Sequence, residues 1–284
     1  MSSRFGRRSF LRGAALAGAA GAIGALPATA EAERPMPVPE HVTFDVPGLD
    51  PAHDGLKVAQ LSDLHVGPRT PPEVIRAAIE EANAFHPDLV VLTGDYLCHN
   101  PREVLAMQEQ LGGLVAPTVA VLGNHDVWTD PDGAADALRG HGYEVLENAW
   151  TTVRLRGAPL PIVGVGDRLT KHEDVARAVR GLPPAAAPLV LAHAPRSADT
   201  LRGLGRPLLC LSGHTHGGQI NLPIITPLFL HLVVHEPYVR GRYRVGDVSL
   251  YVNRGIGMSG IRTRINSPPE VTLATLRSVE RRAA

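Results

Sequence analysis

Five short apolar segments of this 284-residue chain are each followed directly by side chains that can bind a metal ion. The segments have the length and composition of buried strands. Because the carboxyl ends of strands in an α/β sheet border the ligand crevice, these polar groups are predicted to converge there. The need to bring the ends of these five segments together constrains the fold more than any other feature of the sequence. In chain order the elements are Asp63-x-His65, Gly94-Asp95, Gly123-Asn124-His125-Asp126, His193 and Gly213-His214-x-His216.

Each element is weak evidence for a site when it is taken alone. A lone Asp-x-His is common in solvated loops, an Asn-His-Asp sequence fits any turn, and a His-x-His pair can be two capped core histidines. The period of a strand does put Asp63 with His65, and His214 with His216, on one side of an extended segment. Five such elements in one chain favour a common site, and the 13 histidines exceed ordinary usage.

Strand and helix patterns alternate from residue 55 onward, and hairpin patterns follow toward the C-terminus. This order predicts an α/β domain with mixed sheets over residues 55–284. Residues 31–54 are proline-rich and indicate a linker or an edge strand ahead of it. Strands are predicted at 56–61, 88–93, 118–122, 161–165, 189–192, 208–211, 241–245, 248–252 and 271–276. Helices are predicted at 72–85 behind a Thr70–Glu73 capping box, from Asn100 as N-cap, and at 132–140, 173–180 and 197–204.

Residues 1–30 have the features of a twin-arginine export signal. Arg7 and Arg8 precede an uncharged stretch rich in alanine and glycine, and Ala28-Thr29-Ala30 is a small-residue cleavage site. The signal predicts an extracytoplasmic location and contact with the twin-arginine export machinery. A retained membrane anchor is the alternative, although the apolar stretch is short for a bilayer span. Cleavage after Ala30 would remove four arginines and no acid, which leaves a net charge of −4.

The composition excludes several classes of function. Basic and acidic residues balance at 28 each and aromatic residues make up 4%, so nucleic-acid binding is not expected. Two cysteines are too few for a disulfide framework or a four-cysteine zinc site. Cys98 and Cys210 are expected to be buried free thiols, with a disulfide between them as the alternative in an oxidising compartment.

The order and residue types of the five elements resemble those of the calcineurin-like metallophosphoesterase superfamily, over about residues 55–276. The sequences Ser212–Gln219 and Asn253–Gly257, with Pro268-Pro269-Glu270, are similar to a bacterial exported or membrane-associated phosphodiesterase branch. The resemblance implies a four-layer α/β/β/α sandwich in which two mixed sheets are flanked by helices. It also implies a binuclear metal centre that clamps a phosphate and activates water for in-line attack.

The resemblance implies a role for each candidate site residue. Asp63, His65 and His216 hold one metal ion, Asn124, His193 and His214 hold the other, and Asp95 bridges both. Carboxylate, imidazole and amide ligands together suit Mn, Fe or Zn better than Mg or Ca. His125 is not a ligand; it stabilises charge on the phosphate or protonates the leaving oxygen. Cys98 stands where many relatives have the aspartate that orients this histidine, and Asp126 is the alternative partner.

The substrate is indicated by fewer features. Residues 220–234 are apolar, are interrupted by prolines and directly follow the last ligand element. They indicate either a buried strand with a packing loop, or an apolar lip that accepts a lipid tail or touches a membrane. Arg254, and after it Arg262 and Arg264, are candidate phosphate contacts. A solvated or structural arginine is the alternative for each.

These features predict an exported binuclear metal-dependent phosphodiesterase that acts on phospholipids or cell-envelope phosphodiesters. A phosphomonoesterase or nucleotidase that uses the same site is the first alternative. A metal-binding scaffold without catalysis is the second, and the presence of His125 and of every ligand argues against it. The expected partners are a phosphoester substrate, which can be lipid-linked, and a membrane surface that the protein contacts peripherally.

Overall fold

The computed structural model describes residues 36–184 and 186–280, which form two six-stranded sheets packed face to face. The predicted export signal at residues 1–30 lies outside the described residues. Within the described ranges, no helix is both long and apolar enough to cross a membrane. The strands are β1 (Val38–Pro47), β2 (Leu56–Leu61), β3 (Leu89–Leu92), β4 (Thr118–Ala120), β5 (Glu144–Val145), β6 (Ala149–Leu155), β7 (Ala158–Val165), β8 (Leu189–Ala192), β9 (Leu208–Ser212), β10 (Gly241–Val245), β11 (Val248–Val252) and β12 (Glu270–Val279).

Both sheets are mixed, and their central strands are parallel. The first sheet has the order β1-β12-β2-β3-β4-β5, and the second has the order β10-β11-β9-β8-β7-β6. The antiparallel pairs are β12 with β2, β6 with β7 and β10 with β11. In the parallel register Leu61 lies beside Leu92, and Leu92 lies beside Ala120. The carboxyl ends of β2, β3 and β4 therefore share one edge of the first sheet.

Helices cover the outer faces of both sheets. One core lies between the sheets, a second lies between the first sheet and its helices, and a third lies between the second sheet and its helices. Three cores separate four layers, which confirms the α/β/β/α sandwich that the resemblance implies. The helices are α1 (Pro72–Ala84), α2 (Glu103–Gln110), α3 (Asn124–Thr129), α4 (Pro131–Gly140), α5 (Val175–Ala178), α6 (Ser197–Leu201) and α7 (Ile225–Phe229), which continues as a π-helix (Leu230–Val234).

Side-chain contacts modify the two predicted helix starts. Helix α1 begins at Pro72 as predicted, but Thr70 does not cap it, and the Thr70 hydroxyl instead accepts the N–H of Met258 at 3.3 Å. Helix α2 begins at Glu103, three residues after Asn100, although the Asn100 side chain accepts the N–H of Arg102 at 3.0 Å. The Glu103 carboxylate accepts the N–H groups of the loop before it, and this holds the loop in a non-helical turn. These donors are Cys98, His99 and Asn100, at 2.7, 3.0 and 3.2 Å.

The first sheet extends further toward the N-terminus than the predicted domain start at residue 55. Residues Val38–Pro47 form its edge strand and pair in parallel with β12 over their whole length. The sequence pattern also missed β6, which pairs with β7 at the edge of the second sheet. Cys98 and Cys210 are buried free thiols, as predicted.

Candidate metal centre

The carboxyl ends of β2, β3, β4, β8 and β9 bring the seven predicted ligands to one edge of the sandwich. Most of them are fully buried, although they follow their strands in loops and turns or, for Asn124, at the start of α3. Asn124 is the amide in the set, and its Oδ1 lies 3.1 Å from Nε2 of His193. Three overlapping groups have ligand atoms within 4.8 Å of one another: Asp63 with His65 and His216; Asp95 with His193 and His214; and His65 with Asp95 and His125.

Two glycines allow the strand ends to approach this closely. A Cβ atom on Gly94 would lie 2.6 Å from the nitrogen of Gly123 and 2.8 Å from Nδ1 of His193. Gly94 also has a φ of +94°, which disfavours any larger residue. A Cβ atom on Gly213 would overlap the Ser62 side chain. Larger residues at these positions would therefore push the two sheets apart at the site.

The buried carboxylate of Asp126 joins the end of β3 to the end of β4. One oxygen accepts the N–H groups of Asp95 and Gly123, each at 2.9 Å. The other accepts those of Tyr96 and Leu97, at 2.8 and 2.9 Å. Burial raises the pKa of Asp126 to about 7, and the four N–H groups oppose that rise because they bond to the charged form. Asp126 thus holds the β3 loop in the shape that presents the Asp95 carboxylate.

Backbone carbonyls set the proton positions of two ligand imidazoles. Nδ1 of His65 donates to the carbonyl of Leu97 at 2.9 Å, and Nδ1 of His193 donates to that of Thr93 at 2.8 Å. Because a carbonyl oxygen can only accept, the proton lies on Nδ1 and the Nε2 lone pair is free in the neutral ring. Metal-binding histidines in proteins are oriented by hydrogen bonds of this kind.

Acceptor atoms face one another in the centre of the site. Nε2 of His193 lies 3.3 Å from a carboxylate oxygen of Asp95 and 3.1 Å from Oδ1 of Asn124. Lone pairs repel at these distances unless a cation, either a proton or a metal ion, lies between them. The buried Nδ1 of His214 also has no hydrogen-bond partner among the described residues. The residues therefore fit divalent metal ions.

Burial and charge control the ionisation of the ligands. Burial lowers the pKa of His214 to about 3 and that of His65 to about 4, so both rings are neutral at neutral pH. Burial raises the pKa of Asp63 to about 6. It also acts to raise the pKa of Asp95, but the charge of His193 holds that pKa well below its usual range. Neutral imidazoles beside an ionised carboxylate are the forms that bind metals.

Backbone strain is concentrated at the ligands. A positive φ is rare for residues other than glycine, and holding a residue there costs of order 1–3 kcal/mol. The surrounding hydrogen bonds must therefore hold these residues in place, which is typical of functional sites. Five of the seven predicted ligands have a positive φ: Asp63 (52°), His65 (44°), Asp95 (57°), His214 (74°) and His216 (52°).

His125 lies on the first turn of α3, and a main-chain group orients its ring. Nδ1 donates to the carbonyl of Cys98 at 2.6 Å, and Nε2 lies 3.4 Å from the hydroxyl of Ser259. The expectation that Asp126 could orient this ring is wrong, because backbone N–H groups occupy both of its oxygens. The Cys98 thiol accepts from Arg69 at 3.0 Å. The backbone carbonyl at position 98 thus orients the His125 ring, in place of the aspartate side chain that many relatives have at that position.

Trp128 also borders the site and was not among the residues predicted from the sequence. Its ring centroid lies 5.5 Å from that of His125, and 62% of the side chain is exposed. The two residues are three positions apart on α3 and therefore share a helix face, which is the signal that could have shown the contact. The indole offers an apolar or stacking contact to a substrate beside His125.

Two of the three candidate phosphate-binding arginines have protein partners, and the third, Arg262, is exposed. The Arg254 guanidinium lies 3.0 Å from the carboxylate of Glu270 and 3.2 Å from that of Glu40. A contact between Arg254 and a phosphate stays a prediction. Arg264 is partly buried and lies 3.2 Å from Nδ1 of His216, so it supports the last ligand turn. Arg264 also donates to the carbonyls of Arg254, Gly257 and Ser267.

Residues 220–234 form neither a buried strand nor a packing loop, so that interpretation of the sequence is wrong. They contain α7 and the π-helix, and neither helix has a buried residue. The apolar side chains of this part of the chain therefore lie at the surface.

Replacing His214 by alanine is expected to lower the affinity for divalent metal by at least about tenfold, because the centre loses a ligand. Bound Mn per chain, measured by mass spectrometry after dialysis against a metal buffer, gives the affinity. His172→Ala is the matched control, since His172 is exposed and lies outside the site. Equal metal content in the two variants would remove His214 from the centre.

Known proteins share this sequence pattern. Residues 56–218 match the family described as calcineurin-like phosphoesterase. The metallophosphoesterase YkuE of Bacillus subtilis is 33% identical over 97% of this chain and 99% of its own length. Phosphodiesterase YaeI of Escherichia coli is 34% identical over 78% of this chain and 82% of its own.

A more distant relative is UDP-2,3-diacylglucosamine pyrophosphatase LpxG of Chlamydia trachomatis, 28% identical over 77% of this chain and 83% of its own. A solved 5'-nucleotidase precursor from Thermus thermophilus is 18% identical, with a TM-score of 0.49, over 78% of this chain and 54% of that one. From the family match and the relatives above 30% identity, the chain belongs to the calcineurin-like metallophosphoesterases, a family of metal-dependent phosphoester hydrolases.

Proposed function

We propose that this chain is an exported phosphodiesterase that hydrolyses phospholipid or cell-envelope phosphodiesters with two divalent metal ions. The observation that carries the proposal is the position of Asp95 between two groups of ligands. The same oxygen of Asp95 lies 3.6 Å from Nε2 of His65 and 3.3 Å from Nε2 of His193. Asp95 is therefore within reach of both ligand groups, as the bridging role requires.

The remaining ligands divide into two sets around that carboxylate. When bound, the two ions would neutralise charge on the phosphate and activate water for in-line attack. The mixture of imidazole, carboxylate and amide donors favours Mn, Fe or Zn. Asp63, His65 and His216 would hold one ion, and Asn124, His193 and His214 would hold the other.

His125 would move a proton to the leaving oxygen. The carbonyl of Cys98 keeps the Nδ1 proton in place, so Nε2 is the nitrogen that exchanges a proton. A ring nitrogen of His125 lies within 4.8 Å of ligand atoms of His65 and Asp95, so it would be near a phosphate held by metal ions at those ligands.

The contacts of two of the three candidate arginines support a diester rather than a monoester as the substrate. A monoester carries a second negative charge, and an unpaired guanidinium is a common way to bind it. Arg254 is engaged by two glutamates, and Arg264 by carbonyls and His216. The names of YaeI and LpxG, a phosphodiesterase and a pyrophosphatase of a diacylated sugar nucleotide, agree with this choice.

Export rests on the N-terminal residues. The Arg7-Arg8 pair, the uncharged stretch after it and Ala28-Thr29-Ala30 support transport by the twin-arginine machinery. That route would deliver the folded protein to the compartment in which cell-envelope diesters are accessible.

The full chain supplied with Mn is expected to hydrolyse bis(p-nitrophenyl) phosphate faster than p-nitrophenyl phosphate, and a chelator should abolish both reactions. Nitrophenolate absorbance gives both rates. A faster monoester reaction would support the phosphomonoesterase or nucleotidase alternative. If neither substrate turns over with Mn, Fe or Zn, the chain is a metal-binding scaffold and the proposal fails.

His125→Ala is expected to lower kcat by about 10²–10⁴-fold while bound metal stays unchanged, because the ring moves a proton and is not a ligand. Asn124→Ala should instead lower bound metal, since it removes a donor atom. Metal content and kcat, measured on the same preparations, separate the two roles. Equal metal loss in both variants would show that His125 is a ligand.

A further inference from the structure

Residues 224–234, here called the apolar segment, expose an unusual amount of apolar surface. Neither of its helices, α7 and the π-helix, buries a residue. The exposed fractions of Ile224, Ile225 and Leu232 are 81, 63 and 59%. The described residues include 13 large apolar side chains that are exposed, and six of them lie in these 11 positions: Ile224, Ile225, Leu228, Leu232, Val233 and Val234.

Such a surface needs a partner. A surface helix of a soluble protein normally turns its apolar stripe toward the core, whereas this one leaves its apolar side chains in water. Contiguous exposed apolar surface is typical of a contact with a membrane or with another protein. The segment is too short to span a bilayer but long enough to lie in its interface.

The charges around the apolar segment favour a partner with an anionic surface. Residues 219–235 contain no aspartate or glutamate. Residues 253–267 are joined to them by the bridge between Ile220 and Ile265, and they contain no acid and one exposed arginine, Arg262. Arg254 is paired with glutamates and Arg264 is partly buried. An open groove of about 450 Å³ beside the segment is lined by Arg196, His231, Leu232, His235 and Pro237. Apolar side chains bordered by cationic ones match the surface of an anionic bilayer.

The segment is also connected to the catalytic centre. It begins after the turn that carries His216, and a Cβ atom on Gly218 would lie 2.7 Å from Thr226 of α7. Gln219 donates to the carbonyl of Ser259 at 3.0 Å, and the Ser259 hydroxyl lies 3.4 Å from Nε2 of His125. A membrane held by this segment would therefore lie beside the metal centre.

We propose that residues 224–234 insert into the headgroup–acyl boundary of an anionic lipid bilayer and hold the metal centre at the level of the lipid phosphates. Binding to the bilayer goes beyond the proposed hydrolase activity, because it needs neither metal nor turnover. The class of substrate that this geometry presents is a phosphodiester of a lipid headgroup.

The test uses the full chain carrying Leu232→Cys, labelled with an environment-sensitive thiol fluorophore. Cys98 and Cys210 are buried, so the label goes to the new cysteine. Phosphatidylglycerol-rich vesicles are expected to shift the emission to the blue and to protect the label from iodide. Pure phosphatidylcholine vesicles should do so more weakly. Adding Ile225→Glu and Leu228→Glu should lower the partition coefficient at least about tenfold.

The matched controls use Val115, which is 76% exposed and precedes β4 at the opposite end of its strand from the ligands. The label on Val115→Cys should not shift, and Val115→Glu should not change binding. Metal content of each variant shows independently whether the catalytic centre is intact. A blue shift that rises with protein concentration in the absence of lipid would assign the segment to a second copy of the chain. That result, no shift on either vesicle, or an equal shift at Val115 would overturn the proposal.

Discussion

The carboxylate of Asp126 ties the metal centre to the fold, because it accepts four backbone N–H groups from the ends of two neighbouring strands. Its bonds shape the loop after β3, and that loop presents the Asp95 carboxylate. Asp95 in turn accepts the N–H of His125 at 2.8 Å, and Asp63 accepts that of His214 at 3.0 Å. Each buried carboxylate thus holds the backbone of another ligand segment, so the site forms as a unit.

Contacts across the two sheets complete that unit. His193 from the second sheet donates to the carbonyl of Thr93 on the first, and Gln60 bonds to both Thr93 and the carbonyl of Ser212. Most of the buried polar groups of the site are tolerated because they have a hydrogen-bond partner. Nδ1 of His214 and Oε1 of Gln60 have none among the described residues, and acceptor lone pairs face one another near Asp95. Bound cations would relieve the repulsion between those lone pairs. The strained backbone lowers the stability of the fold at this site but gives the candidate ligands an arrangement that suits metal ions.

The sequence predicted the strands and the convergence of the candidate ligands well, because both depend on local pattern. Apolar runs identified β2 and β8 at their observed bounds, and the polar residues after the strands were all brought together. Contacts of the main chain were not visible in the sequence. The Cys98 carbonyl that orients His125 is one example, since every residue has a carbonyl. Residues 220–234 are another, because apolar composition is the same in a buried strand and in an exposed helix.

The central claim is that five strand ends build one binuclear centre around Asp95. Anomalous diffraction from crystals of the chain grown with Mn tests it most directly. Two peaks are expected, one beside Asp63 and His216 and the other beside Asn124 and His214, with the Asp95 carboxylate between them. A single peak, or two peaks that do not share Asp95, would contradict the claim.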